Sequence, residues 1–349
     1  MEDEKGFYTG ARLLTYKDLN GNKPMYLLCT SNRSAGKTFY FSSDTLRNFK
    51  RTGAKFVTIF RHEKELSKSL ADEFFGHICF SDEFSHDEMN CRKGAEGVFW
   101  EYLLNGKPCG YAVSLNKASV IRKKAPLFSN VQRILFDEFQ TEDNRYLPDE
   151  IGKLLSVQTS IARGFNNQNR FIQVVLLGNT FTILNPYFQY WGISARLKHN
   201  TKFLRGVGWV LEQDYNKRAY EAMKESGMLA ANEHSGYMQY AAEGKYINDS
   251  TAFIGKPEGK GVYICTIKHN DTLYGIRDYE RDNLLYMDRR ADESYPIKLA
   301  VSVSDHAAGY QLFGRGDYVR GMLRTYFHQG AFRFSDVGAK AALIEALSY

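Results

Sequence analysis

The octapeptide SNRSAGKT at positions 31–38 has the residue types of a phosphate-binding loop. Such a loop needs small residues so that successive backbone N–H groups can surround a phosphate, a lysine that reaches the phosphate oxygens, and a hydroxyl that binds magnesium. Ser31 stands where the first glycine of the usual pattern is expected, and a chance AGKT at a helix start is the alternative interpretation. We predict that ATP binds to the whole loop, which consists of Ser31, Asn32, Arg33, Ser34, Ala35, Gly36, Lys37 and Thr38.

Two adjacent carboxylates, Asp137 and Glu138, follow an apolar run that ends at Phe136, about one hundred residues after the loop. An acidic pair at a strand end is typical of P-loop proteins that hydrolyse ATP, in which one carboxylate binds Mg²⁺ and the other polarises water. We therefore predict that Thr38 and Asp137 bind the metal and that Glu138 and Lys37 are catalytic. An acidic strand-to-loop transition on the surface is the alternative.

Three further polar side chains could act on the phosphates. Arg33 lies within the loop and could contact phosphate oxygens or a neighbouring subunit, although plain solvent exposure explains it equally simply. Asn179 follows an apolar strand and could orient water or detect the terminal phosphate, or could only form a turn. Arg163 ends a predicted helix, where a cation also complements the helix dipole.

The elements that must position these residues alternate between strand and helix. Nearly continuous apolar runs predict strands at 24–30, 55–60, 131–136 and 171–177, and helices are predicted from 37, over 63–73 and over 148–162. Asn105-Gly106 between two apolar runs predicts a hairpin. This alternation indicates an α/β fold with a mainly parallel sheet.

The chain is long enough for two domains. We predict a P-loop ATPase domain at 1–206, a helical connector at 207–252 and a second domain at 253–349. In the last segment, GVYICTIK, TLYGIRDY and NLLYMD are separated by turn-forming residues and predict a three-strand meander.

Composition limits the remaining possibilities. With 43% hydrophobic and 25% charged residues the chain should fold, and its net charge of +6 suits a polyanionic partner without requiring one. The five cysteines are odd in number and form no CxxC pair, so neither a zinc site nor a disulfide framework is indicated. Since no stretch approaches the ~18 apolar residues of a membrane span, we expect a soluble cytosolic protein without membrane association.

The sequence resembles the DNA encapsidation ATPases of phi-29-type phages, a branch related to terminase large subunits. The resemblance extends through most of the chain and is carried by SNRSAGKT, by FDEF followed by YLPDEIGKLL and SIARG, and by LLGNTFTILNPYF. It implies a P-loop fold of the additional-strand, catalytic-glutamate class, and a motor subunit that hydrolyses ATP to drive double-stranded DNA into a preformed procapsid.

The resemblance also implies the setting of the motor. The subunits would form a homo-oligomeric ring, a pentamer in that family, at the portal vertex of the procapsid in the host cell cytoplasm. The portal is then a partner, and a scaffold RNA is a further candidate partner. The arginine that matches Arg163 looks like the finger that enters the ATP site of the adjacent subunit. Ring size and the participation of RNA stay open at the level of sequence.

The family's carboxy-terminal domain is similar to an RNase H-like nuclease, which needs a carboxylate on its first strand for two-metal chemistry. The corresponding strand here, GVYICTI, contains no acid, whereas Asp271, Asp278, Asp282, Asp288 and Asp305 come later. We therefore expect a vestigial RNase H-like α/β domain without nuclease activity. It could still bind nucleic acid through basic residues, for which the candidates are Lys256, Lys260, Lys268, Arg289, Arg290, Arg315, Arg320 and Arg324.

Three other functions compete with this hypothesis. A full terminase would also cut DNA, and a P-loop helicase or repair ATPase would act on single strands without any dependence on a capsid. A non-enzymatic adaptor would bind nucleotide in the substituted loop without turning it over.

Overall fold

A computed structural model of the chain describes residues 8–348 except 77, 80, 95–96, 124, 142–144, 164–168, 181–184, 195, 198–200, 228–230, 232–252 and 315–316. The chain divides into two compact units. The first comprises Met1–Ile193 and Leu197–Ile247, and the second Ser194–Arg196 and Asn248–Tyr349.

The first unit is built on a nine-stranded sheet with the order β3-β4-β5-β2-β6-β7-β1-β9-β8. Its strands are β1 (Tyr26–Ser31), β2 (Lys55–Phe60), β3 (Met89–Lys93), β4 (Trp100–Leu104), β5 (Lys107–Ser114), β6 (Val131–Phe136), β7 (Gln173–Asn179), β8 (Phe203–Gly206) and β9 (Trp209–Gln213). Along this order the six strands from β5 to β9 are mutually parallel. Every antiparallel pair of the described sheet includes β4 or β8, near its outermost strands. The predicted α/β class and mainly parallel sheet are confirmed.

Strand β7 lies between β1 and β6 and pairs in parallel with both. The central strands are buried on both faces, which explains their nearly continuous apolar sequences. Because the strands are parallel, the ends of β1, β2, β6 and β7 meet at one edge of the sheet, where ligands bind in folds of this kind.

The helices of this unit are α1 (Ala11–Thr15), α2 (Lys37–Thr52), α3 (Lys68–Gly76), α4 (Ala118–Lys123), α5 (Glu150–Ala162), α6 (Pro186–Tyr190) and α7 (Lys217–Glu225). One hydrophobic cluster joins Phe41 of α2 to Leu27, Val175 and Val210 of three parallel strands. A second cluster packs Leu46 further along α2 against β2 and α3. Helix α2 is therefore fixed along its length to the sheet.

The Asn105-Gly106 hairpin is confirmed, since both residues adopt positive φ values of 51° and 73° between β4 and β5. The helix predicted over 63–73 is corrected to a 3-10 helix at Glu63–Glu65 and a separate α3. The chain leaves the helical conformation at Leu66, whose carbonyl accepts the indole N–H of Trp100.

The predicted boundary at residue 206 also needs correction. Strand β9 lies within the segment that we predicted as connector, yet it pairs in parallel with β1 over Tyr26–Thr30, and Trp209, Val210 and Leu211 are buried. This segment is therefore part of the first sheet. Of the predicted helical connector, the structure shows α7; residues 228–230 and 232–252 lie outside the described part of the chain.

The second unit contains a six-stranded sheet with the order β14-β13-β10-β11-β12-β15. Its elements are β10 (Val262–His269), β11 (Thr272–Tyr279), β12 (Leu284–Asp288), β13 (Lys298–Ala300), β14 (Gln311–Leu312), α8 (Tyr318–His328), β15 (Phe332–Phe334) and α9 (Val337–Ser348). Strands β10, β11 and β12 form the predicted antiparallel meander. Buried residues of both helices and of the sheet form one core.

Within the described ranges of both units, no helix combines the length and the apolar character that crossing a lipid bilayer would require.

Candidate active site

The loop predicted to bind ATP connects the end of β1 to the start of α2. Ser34 and Gly36 have φ values of 60° and 98°, so the chain turns twice through the left-handed region. Such turns bring successive backbone N–H groups to one side and create a concave site for an anion. Because α2 begins directly after Gly36, its N-terminal dipole favours negative charge at the same place.

Lys37 is buried at this edge, with 6% of its surface exposed. Its ammonium group donates hydrogen bonds to Ser31 Oγ at 2.7 Å, to the Asn32 carbonyl at 3.3 Å and to Asn179 Oδ1 at 3.2 Å. Burial lowers the pKa of Lys37, an effect that nearby Asp137 opposes. Two segments of the chain, at the ends of β1 and β7, thus hold the lysine at the base of the loop.

Thr38 and Asp137 meet across the sheet edge. The Thr38 hydroxyl donates a 2.7 Å hydrogen bond to Asp137 Oδ2, although the two residues are 99 positions apart in sequence. Hydroxyl and carboxylate oxygens are the ligand types that Mg²⁺ takes from proteins, usually only one or two of them beside phosphate oxygens and water. The donor set therefore fits Mg²⁺ held together with a nucleotide.

Glu138 directly follows Asp137 and has a φ of 54°, a left-handed conformation that is uncommon for a glutamate. Burial and the adjacent Asp137 raise the pKa of Glu138, whereas Arg33 and Arg61 act in the opposite direction. A carboxylate with a raised pKa is a better proton acceptor than an ordinary one.

These groups face one cavity of about 560 Å³. Of the predicted site residues, its lining contains Arg33, Ser34, Ala35, Gly36, Lys37, Thr38, Asp137, Glu138 and Asn179. Phe39 and Gly178 complete the lining and were not predicted.

Ser31 and Asn32, which we also predicted to bind nucleotide, are fully buried and are not among the residues that line this cavity. Ser31 uses its hydroxyl to hold Lys37. The side chain of Asn32 exchanges hydrogen bonds of 3.0 and 2.9 Å with the backbone of Asn216, which begins α7. Their side chains therefore support the loop from behind.

Arg163 is exposed at the end of α5 and does not line the cavity of its own chain. Its backbone pairs with Asn169, and residues 164–168 between them lie outside the described part of the chain. The proposed contact with a neighbouring subunit therefore stays a prediction.

Sequence reasoning missed Arg61, Glu150 and Tyr187, which form a buried cluster behind the carboxylates. Arg61 follows β2 directly, and its guanidinium contacts both Glu150 and the backbone of Glu138. The available signal was its position, because β2 is parallel to β6 and both strands must end at the same edge.

The second unit lacks an acidic site in its described residues: no group of three or more His, Cys, Asp or Glu could hold a metal. Asp288 is instead bound at 2.5 Å by Arg277 of the neighbouring strand. Among the candidate phosphate contacts, Arg320 is wrong, since it is buried and donates to the Leu347 carbonyl. Arg315 lies outside the described residues, and the others stay predictions.

Comparisons with known proteins agree on one family. Residues 3–346 match the family described as Podovirus DNA encapsidation protein (Gp16). The DNA packaging protein of Bacillus phage B103 is 24% identical over 308 residues, which cover 87% of this chain and 90% of that protein.

Solved structures show the same fold. The structure of the bacteriophage Phi-29 viral genome packaging motor assembly is similar with a TM-score of 0.68 at 20% identity, covering 98% of this chain and 97% of the other. The Phi-28 gp11 DNA packaging motor gives a TM-score of 0.61 at 17% identity, with 98% of each chain covered. With the family match spanning nearly its whole length, this chain belongs to the podovirus DNA encapsidation protein (Gp16) family and is a phage DNA-packaging protein.

Proposed function

We propose that this packaging protein hydrolyses ATP at the edge where β1, β2, β6 and β7 end, and couples hydrolysis to movement of double-stranded DNA into the procapsid. The contact between Thr38 and Asp137 supports this most directly, because it joins the hydroxyl and the carboxylate that a Mg-nucleotide needs. The position of β7 between β1 and β6 supports the additional-strand, catalytic-glutamate class of P-loop ATPases.

In this proposal the chain's own residues divide the work. The loop from Ser34 to Thr38 binds the phosphates, and Lys37 would exchange its internal partners for phosphate oxygens. Thr38 and Asp137 would hold Mg²⁺, which would supply positive charge to the phosphates. Glu138 accepts a proton from the attacking water, and Asn179 orients that water or detects the terminal phosphate.

The unit of activity is a ring. Because Arg163 is exposed and lies off its own cavity, we propose that it acts on the ATP of the adjacent subunit, where it stabilises charge in the transition state. A five-membered ring at the portal vertex in the host cytoplasm, with scaffold RNA as a further component, follows from the resemblance and is proposed on that basis.

We further propose that the second unit is a vestigial RNase H-like domain. Its meander continues from β10 into the parallel strands β13 and β14, an arrangement that this fold would give. The Arg277 guanidinium binds the Asp288 carboxylate, so this carboxylate is paired with a cation, whereas a nuclease would use it to bind a metal ion.

The test of ATP hydrolysis compares the purified full-length chain with Glu138→Gln, which keeps the shape and removes the base. We expect phosphate release from Mg-ATP to fall by about 10²- to 10⁴-fold in the variant, and DNA protected inside cognate procapsids to fall with it. Equal phosphate release by the two proteins would remove Glu138 as the general base. ATP hydrolysis without any protected DNA, in a reaction of active components, would contradict the coupling.

The absence of nuclease activity has its own test. We expect plasmid DNA to remain intact when it is incubated with the full-length chain and Mg²⁺ or Mn²⁺, as judged by gel electrophoresis. Metal-dependent cutting that disappears in Asp288→Ala would contradict the vestigial assignment. Asp278→Ala is the matched control, since it removes another carboxylate of the same meander.

A further inference from the structure

Arg61 is almost completely enclosed, with 9% of its side chain exposed, and it faces the fully buried carboxylate of Glu150. Its Nε lies 3.1 and 3.0 Å from the two carboxylate oxygens. Arg61 comes directly after β2, and Glu150 is the first residue of α5. The ion pair therefore joins the sheet edge to the start of α5.

The rest of the guanidinium binds the backbone that follows β6. Nη1 and Nη2 each donate to the Glu138 carbonyl at 3.2 Å, and Nη2 also donates to the Phe139 carbonyl at 2.9 Å. The two carbonyls belong to Glu138, which has the φ of 54°, and to Phe139, which follows it. A left-handed glutamate persists only where surrounding contacts enforce it, and Arg61 supplies such contacts.

Glu150 is itself held in place. Its Oε1 accepts a 2.6 Å hydrogen bond from the Tyr187 hydroxyl, and its Oε2 accepts the backbone N–H of Leu147 at 2.8 Å. Tyr187 belongs to α6 and is fully buried, with its ring against Phe139 at a centroid distance of 5.3 Å. Arg61 and Tyr187 thus contact the Glu138–Phe139 segment, and Glu150 connects them; we name these three side chains the Arg61 clamp.

We propose that the Arg61 clamp of Arg61, Glu150 and Tyr187 positions Glu138 for water activation, with Arg61 as the positioning residue. The inference rests on the proposed role of Glu138 as the general base. Water activation would then depend on residues outside the phosphate-binding loop and the acidic pair. The main chain of Glu138 orients its carboxylate, and the Arg61 guanidinium links that main chain to α5 and α6.

Arginine is needed for this role because of its shape. Its planar fork serves a carboxylate with one edge and two carbonyls with the other, whereas lysine has a single nitrogen and cannot reach all three groups. A purely stabilising pair at this depth could be replaced by apolar residues without loss. A positioning role predicts instead that even charge-conserving replacement impairs turnover.

The experiment uses the full-length chain with the variants Arg61→Lys, Arg61→Met and Tyr187→Phe, and measures kcat and KM for Mg-ATP, ADP affinity by calorimetry, and the unfolding temperature. We expect kcat to fall by about 100-fold in Arg61→Lys, as for a reacting group displaced by about 1 Å. ADP affinity should stay unchanged. Tyr187→Phe, which removes one hydroxyl and keeps the ring, should show a smaller fall in kcat.

Arg133→Met is the matched control. Arg133 is another partly buried arginine of the same sheet. It forms a 2.6 Å ion pair with Asp44, away from Asp137 and Glu138. Its replacement should lower the unfolding temperature without changing kcat. The split between kcat and KM provides a second readout: KM for Mg-ATP should stay near the parent value in Arg61→Lys while kcat falls.

The outcomes separate the two proposals. If the parent chain releases no phosphate from Mg-ATP, the proposed function fails; if Glu138→Gln turns over ATP like the parent, Glu138 is not the general base, whatever the clamp variants do. If Glu138→Gln is inactive but Arg61→Lys and Tyr187→Phe lose no more kcat than Arg133→Met at a similar unfolding temperature, the clamp is structural only and the inference is overturned. Loss of ADP binding in Arg61→Lys would also contradict it.

Discussion

At the candidate active site, Glu138 has an uncommon backbone conformation and Lys37 is a buried charged residue. Glu138 is left-handed and adjacent to a second carboxylate, and desolvation together with that carboxylate raises its pKa. Lys37 is buried among neutral oxygens, and Ser31 provides one of them. The serine that departs from the usual loop pattern therefore has a positive role, because a glycine there would offer no hydroxyl to the lysine.

The raised pKa of Glu138 predicts the acid side of the pH profile. A general base works only when deprotonated, so kcat should fall as pH drops through a value above that of an ordinary glutamate. Arg33→Gln removes a cation that lowers this pKa, and we expect the acid limb to move to higher pH. Steady-state kinetics across pH, with circular dichroism to verify folding, provides the measurement. A limb that stays in place or moves to lower pH would contradict the assignment.

At the scale of elements, α2 has a clear beginning and end. Gly36 precedes its first residue, and Gly53 follows its last with a φ of 72° and a backbone N–H bonded to the Phe49 carbonyl. Lys50 and Arg51 in the last turn complement the helix dipole. The helix thus carries the phosphate loop at one end and a glycine cap at the other.

Gly53→Ala should destabilise the first unit by about 1 kcal/mol, because the added Cβ meets no neighbour but the left-handed backbone disfavours it. Gly53→Asn should be milder, since asparagine tolerates this conformation. Gly76→Ala is the control: it lies at the end of α3 with open space and no positive φ, and should be neutral or stabilising. Denaturant unfolding compares the three, and equal losses in Gly53→Ala and Gly76→Ala would contradict the cap.

At the scale of the whole molecule, one chain supplies most of the proposed ATP site but places Arg163 elsewhere on its surface. Hydrolysis should then depend on assembly. We expect Arg163→Ala to bind ADP normally and to lose turnover, since an arginine finger acts on the transition state.

Mixed rings provide the check on this arrangement. Arg163→Ala lacks the finger and Glu138→Gln lacks the base, so a mixture pairs an intact base with a neighbour's intact arginine at some interfaces. Partial recovery of phosphate release on mixing the two inactive proteins is the expected result. If native mass spectrometry shows that the two variants co-assemble and phosphate release still does not recover, Arg163 lies outside the site of the adjacent subunit.

The amino-acid sequence by itself determined the parts of this protein that depend on local pattern. The strands β1, β2, β6 and β7, the phosphate loop and the acidic pair follow from apolar runs and from residue types at fixed spacing. The hairpin at Asn105-Gly106 follows from backbone preferences of two residues. Family resemblance added the packaging function, which the match over residues 3–346 confirms.

Only the tertiary structure decided which distant residues share a surface. We predicted the segment WVLEQ at 209–213 as part of the connector. It forms β9 because it pairs in parallel with β1, where most of its side chains are buried. Glu150 and Tyr187 lie within the segments YLPDEIGKLL and LLGNTFTILNPYF, but no local pattern gives a role to them or to Arg61. The three meet because the ends of parallel strands and the starts of two helices converge. Such contacts depend on packing between segments far apart in sequence, and no local pattern encodes them.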